Sequence, residues 1–261
     1  MKISRLSVPN SESMATLFIS DLHLTHQRPA ITDLFLAFLE EQAVSADALY
    51  ILGDLFEYWI GDEAITLETV RPIIDGLNKL ATGGTPVYIM RGNRDVLLGN
   101  EFEKACGCHL LEDPVVIDLY GEPMLISHGD YLCTDDTEYQ QFRSMVREPE
   151  WQQRFLAKDI EEREAIIRTY REISMANMTE KSPEIMDVNQ QAVEQALLDH
   201  NVTQMIHGHT HRPAIHEFTL TNNNYRRIVL GAWYEQGSVL RCDQKGCELQ
   251  GLPLAQPNSR H

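Results

Sequence analysis

Four apolar runs, TLFIS (16–20), ALYIL (48–52), PVYIM (86–90) and PMLIS (123–127), each lead within a few residues to a block of acid, amide or imidazole side chains. Short apolar runs without alternation read as strands covered on both faces. The blocks hold Asp21 and His23 in DLH, Asp54 in GDLFE, Asn93 in GNRD and His128 in HGD. A fifth block, His207 and His209 in HGHTH, follows the short stretch MI. Open α/β sheets gather ligands at the carboxyl ends of their strands. The spacing therefore predicts seven oxygen and nitrogen donors assembled at one sheet edge.

Helical patterns over 31–42, about 66–81 and about 99–106 alternate with the strands. That alternation implies an α/β fold with a mainly parallel sheet and helices on both faces. VVIDLY (115–120) and PMLIS read as a hairpin closed by Gly121-Glu122. Beyond residue 135 the composition turns to helix formers, broken at Pro149, with a further helix predicted over 185–200. One crossover would need less chain, so 135–200 reads as a helical insertion capping the site. The core is then 14–134 plus 201–261, and 1–13 is a loose extension. The tail returns to strands, AIHEFTL, YRRIVLGAWY, SVLRCD and CELQGL, with Asn222–Asn224 as a turn.

A net charge of −17 argues against nucleic acid as the main partner, because phosphate backbones reward clustered Lys and Arg. Five cysteines, Cys106, Cys108, Cys133, Cys242 and Cys247, without a secretory signal read as reduced thiols in a cytosolic protein. No apolar run approaches the ~20 residues of a membrane span.

Asp21 and His23, and likewise His207 and His209, are two residues apart, which in extended chain places each pair on one face. Asp54, a carboxylate able to bridge two cations, divides the set. One ion takes Asp21, His23, Asp54 and His209; the other takes Asp54, Asn93, His128 and His207. Mixed oxygen and imidazole donors without thiolate suit Mn, Fe, Co or Zn. Two such ions ~3.5–4 Å apart can hold a phosphoryl group with a hydroxide between them. A lone D-x-H or GNRD would more often be structural; five blocks in order, each after a strand-like run, are hard to explain by packing.

The order DLH, GD, GNRD, HGD and HGHTH resembles the calcineurin-like metallophosphoesterases, which implies a four-layer αββα sandwich around a dinuclear site. Many members carry His where Arg94 stands. Arg cannot act as an acid at neutral pH, but it grips phosphate bidentately. Arg94 thus favours a phosphoanhydride with a phosphate leaving group; the bland alternative is a pair with Asp95. The longer runs ADALYILGDLFEYWIGD, GNRDVLLG, SHGDYLCTDD, IMDVNQ and HGHTHRPA are similar to the UDP-2,3-diacylglucosamine diphosphatase family.

That resemblance implies hydrolysis of UDP-2,3-diacylglucosamine to UMP and 2,3-diacylglucosamine 1-phosphate in lipid A biosynthesis. It implies attack on the phosphorus nearer uridine, with Mn2+ as the usual metal; a hydroxide bridging the two cations, its pKa lowered by them, is expected to attack in line. It also implies a peripheral site on the cytoplasmic face of the inner membrane, with no obligate protein partner. Arg94 is the catalytic candidate. Substrate contacts fall to Asn93, Arg94, Asp136, Ser174, Asn177, Lys181 and His207. The family's Asn lies three residues before the Lys, where this chain has Met178, so Asn177 departs from the pattern by one place. Asp136 is equally a helix N-cap. Nine apolar residues of the insertion, from Phe142 to Ile173, could line an acyl chamber or simply be core. Another dinuclear phosphodiesterase, a nucleotide pyrophosphatase or a non-catalytic scaffold are the alternatives.

Overall fold

The computed structural model describes residues 14–180 and 185–254, with the helical backbone alone for 174–180. The predicted extension 1–13 lies outside the described residues. Strands β1 (Thr16–Ile19), β2 (Ala48–Leu52), β3 (Val87–Met90) and β4 (His109–Leu111) run parallel in that order. Helices α1 (Pro29–Glu41), α2 (Arg71–Thr82) and α3 (Asn100–Cys106) connect them. Each of these strands faces apolar partners on both sides, so the runs are continuous rather than alternating. Leu17, Ile19, Leu49, Ile51, Val87 and Ile89 face α1 and α2. α1 meets them with Ile31, Phe35, Phe38 and Leu39, one stripe at helical spacing.

The opposite face of that sheet carries Phe18, Leu52 and Met90, and among the described residues no helix contributes to the cluster they form. That face packs on a second sheet through Met124, Ile126, Ile206 and Ile228. The single sheet with helices on both faces, expected from strand–helix alternation, is thus corrected to two sheets with helices outside each. The second sheet comprises β5 (Val115–Leu119), β6 (Glu122–Ser127), β7 (Gln204–His207), β9 (Asn223–Val229) and β8 (Ala214–Leu220), in that spatial order. Its outer face meets α7 (Gln190–Asp199) through Leu125, Met205, Val193 and Leu197. The result is the αββα sandwich.

β10 (Gln236–Asp243) and β11 (Gly246–Pro253) complete the first sheet, with β10 antiparallel to β1. Trp233, just before β10, is fully buried edge-on against Phe35 and Phe38. Its backbone N–H donates to the carbonyl of Asp21 at 3.0 Å.

α4 (Thr137–Arg147), α5 (Pro149–Leu156), α6 (Ile160–Glu180) and α7 all lie between β6 and β7 in the chain. Pro149 opens α5 and so accounts for the break after α4. The predicted helix over 185–200 begins only at Gln190, because the Asn189 side chain caps it by accepting from Ala192 N.

Several local expectations shift. The β5–β6 turn is Tyr120-Gly121 rather than Gly121-Glu122, both residues having positive φ. The β8–β9 turn is Thr221-Asn222, with Asn223 and Asn224 already in the strand. β4 was not predicted, and its three residues are too few for a periodic signal. Cys242 and Cys247 sit opposite each other in the β10–β11 register and form a disulfide, which corrects the reading of five free thiols. Cys106, Cys108 and Cys133 are free and buried.

Candidate metal centre and its cavity

The loops that leave β1, β2, β3, β6 and β7 meet at one edge of the sandwich. Their backbone is not extended. Asp21, His23, Asp54 and His209 have φ of 54°, 49°, 53° and 68°, in the left-handed region that non-glycine residues avoid. Such conformations cost of order 1–3 kcal/mol each and cluster at functional sites. They persist here because the loops are tied together. Asp21 N donates to Gly53 O at 3.1 Å, and His23 N donates to Asp54 O at 2.9 Å. Gly92 packs so closely that a Cβ on it would stand 2.0 Å from Asp54 Oδ1.

Six of the seven predicted donors converge. Asn93 Oδ1 lies 3.0 Å from both His128 Nε2 and His209 Nδ1. Asp54 Oδ1 lies 3.8 Å from His128 Nε2, and Asp54 Oδ2 lies 3.8 Å from His23 Nε2. Asp21 Oδ2 accepts from the backbone of His209 at 2.9 Å. The seventh, His207, has both ring nitrogens engaged by other groups. Its Nε2 accepts from Arg227 Nη1 at 3.2 Å and its Nδ1 meets Gly208 O at 2.9 Å. β7 ends at His207, and the positive φ of His209 departs from extended chain, so the two-residue spacing does not by itself put this pair on one face.

His211, given no ligand role in the sequence reading, joins the group. Its Nε2 is 3.3 Å from Asp21 Oδ1 and 3.3 Å from His23 Nε2. Among the described residues two clusters have donor atoms mutually within 4.8 Å: Asp21, His23 and His211, and Asp21, Asp54 and His128. Asp21 Oδ1 and His23 Nδ1 are buried without a hydrogen-bond partner. Buried oxygen and imidazole donors left unsatisfied are the donor set that a divalent cation would complete.

The electrostatics of the metal-free group point the same way. Burial pushes Asp54 up to about 7, with Asp95 and Asp21 adding to the effect. Burial pulls His128 down, but Asp54, Asp21, Asp130 and Asp113 outweigh it and raise His128 to about 9. Burial lowers His23 and His209 to about 3 and His207 to about 4. Burial alone would raise Asp21, yet the close approach and charge of His211, with the charges of His128 and His23, hold it well below the usual carboxylate range.

Arg94 lines the adjoining cavity, and its backbone N–H donates to Asp54 Oδ1 at 2.8 Å. It does not pair with Asp95. The Asp95 oxygens instead accept from the backbone of Asp54, Leu55, Phe56 and Gly92 at 2.7–3.3 Å. The cavity measures about 650 Å³. Its polar floor includes His23, Asp54, Asn93, Arg94 and His209, and its walls include Phe142, Ile167, Tyr170 and Ile173 of α4 and α6. Of the other insertion residues proposed for a chamber, Val146 and Phe155 are buried, and Trp151 and Ile166 pack against the first core. The apolar stripe is thus divided between chamber and core.

Asp136 does cap α4, accepting from Tyr139 N at 3.1 Å, and it also lines the cavity. The CTDD and IMDVNQ runs clasp each other, Asn189 Nδ2 donating to Asp135 at 3.0 Å. Asp187 pairs with Arg212 at 2.6 Å. Asp130 of HGD was overlooked. Fully buried, it accepts from Tyr139 OH at 2.8 Å and pairs with Arg143 at 2.9 Å, fastening α4 over the site. Lys181 and the side chains of Ser174 and Asn177 lie outside the described residues.

Comparison with known proteins accords with this geometry. The calcineurin-like phosphoesterase family profile matches residues 14–213. The UDP-2,3-diacylglucosamine hydrolase of Stenotrophomonas maltophilia (strain K279a) is 51% identical over 246 residues, covering 92% of this chain and 99% of that protein. The protein of the same name from Serratia proteamaculans (strain 568) is 51% identical over 242 residues, covering 92% of this chain and all of its own. The chain belongs to the calcineurin-like phosphoesterases and, within them, to the family of the UDP-2,3-diacylglucosamine hydrolases.

Proposed function

We propose that this chain hydrolyses the pyrophosphate of UDP-2,3-diacylglucosamine, releasing UMP and 2,3-diacylglucosamine 1-phosphate. The observation that carries the reading is the junction of two environments in one cavity: a buried cluster of carboxylate, amide and imidazole donors, walled by aromatic and aliphatic residues of α4 and α6. A nucleotide joined to two acyl chains needs both. Relatives about half identical in sequence carry the name of that activity.

Asp21, His23, Asp54, Asn93, His128 and His209 would hold two divalent cations, Mn2+ in our reading, with His207 joining once released from Arg227. Bound there, the cations would supply Lewis-acid charge to the phosphoryl oxygens. The chain's own residues do the rest. Arg94 presents a guanidinium, with no ion-pair partner among the described residues, to the phosphate oxygens. A fork of this kind favours the spread charge of a phosphoanhydride transition state. A departing phosphate monoester needs little protonation, since its second pKa is about 6, so no acid is required where Arg94 stands. Tyr139 stacks on His209 at 5.7 Å and covers that face of its ring. Ser174, Asn177 and Lys181 on the insertion would contact the head group together with Asp136.

Residues 135–200 act as the cap of the site in this reading, and the protein works at the cytoplasmic face of the inner membrane, where its substrate resides. No helix among the described residues is long and apolar enough to cross a membrane. Turnover in oxygen-18 water, with the label located by mass spectrometry, tests the reaction. Label in UMP supports attack at the phosphorus nearer uridine; label in the acylated sugar phosphate moves the attack. Equal rates on UDP-sugars without acyl chains would sink the substrate assignment.

A further inference from the structure

His23 has one ring nitrogen aimed at the centre and one that nothing satisfies. Nε2 faces Asp54 and His211. Nδ1 is buried and lacks a hydrogen bond. Glu57 Oε2 stands 3.5 Å from it, on a side chain only 16% exposed. The other oxygen of Glu57 pairs with Arg171 of α6 at 2.8 Å, 114 residues away in the chain. Arg28 closes the arrangement. It lies 3.7 Å from Glu57, donates to the carbonyls of His23 and Trp233, and covers the ring of Tyr234. Tyr234 stacks on His23 at 5.5 Å.

An imidazole that ligates a cation through one nitrogen depends on a partner for the other, which sets tautomer and ring orientation. Asp54 lies on the Nε2 side; of the side chains just described around the rest of the ring, Arg28 is a cation, Tyr234 and His211 are rings, and Glu57 is the one carboxylate. Only its carboxylate can accept a proton from Nδ1, and doing so leaves the Nε2 lone pair facing Asp54.

We propose that Glu57 is a positioning residue for His23, fixing its tautomer and ring through one oxygen while the other anchors α6. The inference rests on His23 being a metal ligand. The competing role is purely structural, with Glu57 serving only to hold α6 through Arg171.

Four variants of the full chain separate these roles: Glu57→Ala, Glu57→Gln, Arg171→Ala and His23→Ala. Mn2+ affinity of the metal-stripped proteins is measured by calorimetry, alongside kcat, KM and the metal-free Tm. Glu57→Ala weakens Mn2+ binding about 10–100-fold, as removal of such partners does, and lowers kcat with KM little changed. Glu57→Gln keeps an acceptor oxygen and loses less, with a wild-type metal-free Tm; it carries the test if the alanine variant fails to fold. Arg171→Ala keeps wild-type Mn2+ affinity and raises KM. If Glu57→Ala and Glu57→Gln match Arg171→Ala, with Mn2+ affinity unchanged, the positioning role is overturned. His23→Ala that binds Mn2+ like wild type overturns the ligand reading itself, and the inference with it.

Discussion

Asp95 Oδ2 accepts the backbone N–H of Leu55 at 2.7 Å, so the end of the GNRD block holds the GDLFE block from beneath. Three more backbone donors, Asp54, Phe56 and Gly92, converge on the same carboxylate. It neutralises the N–H groups of two loops that have no strand partner. Burial raises its pKa, and those hydrogen bonds work against the rise.

Asp95→Ala strands these donors in the interior. Each unsatisfied buried group costs about 1–3 kcal/mol, with partial relief from relaxation, so chemical denaturation should show a loss of about 3 kcal/mol or more. Asp95→Asn keeps one acceptor oxygen and should lose less. A wild-type unfolding midpoint for Asp95→Ala would contradict the role.

Gly92→Ala is the smallest change that should silence the site. The added Cβ would lie 2.0 Å from Asp54 Oδ1 and 2.4 Å from Asp54 N. Asp54 and its loop must shift by more than an ångström. Hydrolysis should fall at least about 100-fold, as it does when reacting geometry is displaced on that scale. Steady-state kinetics on the purified variant check this.

Arg94→Ala should reduce kcat/KM by about 10²–10³, the range seen when a transition-state charge donor is removed. Arg94→Lys should recover only part, because an ammonium cannot reproduce the planar fork. Full recovery by lysine would reduce Arg94 to a general positive charge.

The metal-free protein should lose stability between pH 6.5 and 9. His128 is raised from 6.5 to about 9, so the folded state holds its proton more tightly than the unfolded chain. That contribution is fully present below 6.5 and vanishes as pH rises through 9. Asp54, raised to about 7, acts in the same direction but is spent by then. His23, His207 and His209, lowered to about 3–4, act oppositely, and only below 6.5. At about 1.4 kcal/mol per unit, the loss amounts to a few kcal/mol. Thermal melts in chelator should show it, and His128→Gln should flatten it. Equal slopes in the two proteins would refute the assignment.

Where strands end in a hard donor, the sequence is a reliable guide, since an apolar run buried on both faces and the residue closing it are both local signals. Asp21, Asp54, Asn93 and His128 were legible for that reason. Dihedral angles were not: nothing in D-x-H announces a left-handed backbone at Asp21 and His23, so extended spacing gave the right neighbours by the wrong path. The contact of His207 with Arg227 was not legible either, because Arg227 lies on β9 and is brought near by the parallel β7–β9 pairing. The second sheet was hidden from strand–helix alternation, which cannot say whether a strand's far face meets a helix or another sheet. Asp135 and Asn189 lie in the CTDD and IMDVNQ runs, and only their contact shows those runs to be a clasp.

The antiparallel seat of β10 beside β1, with Trp233 braced on the carbonyl of Asp21, has a consequence for biogenesis. A nascent chain that has cleared the ribosome as far as His211 possesses every candidate ligand, yet the loop bearing Asp21 and His23 still lacks its support. The hydrolytic centre is therefore finished by residues that contribute no ligand to it, and a chain ended after His211 would hold all the candidate donors without the Trp233 brace on Asp21.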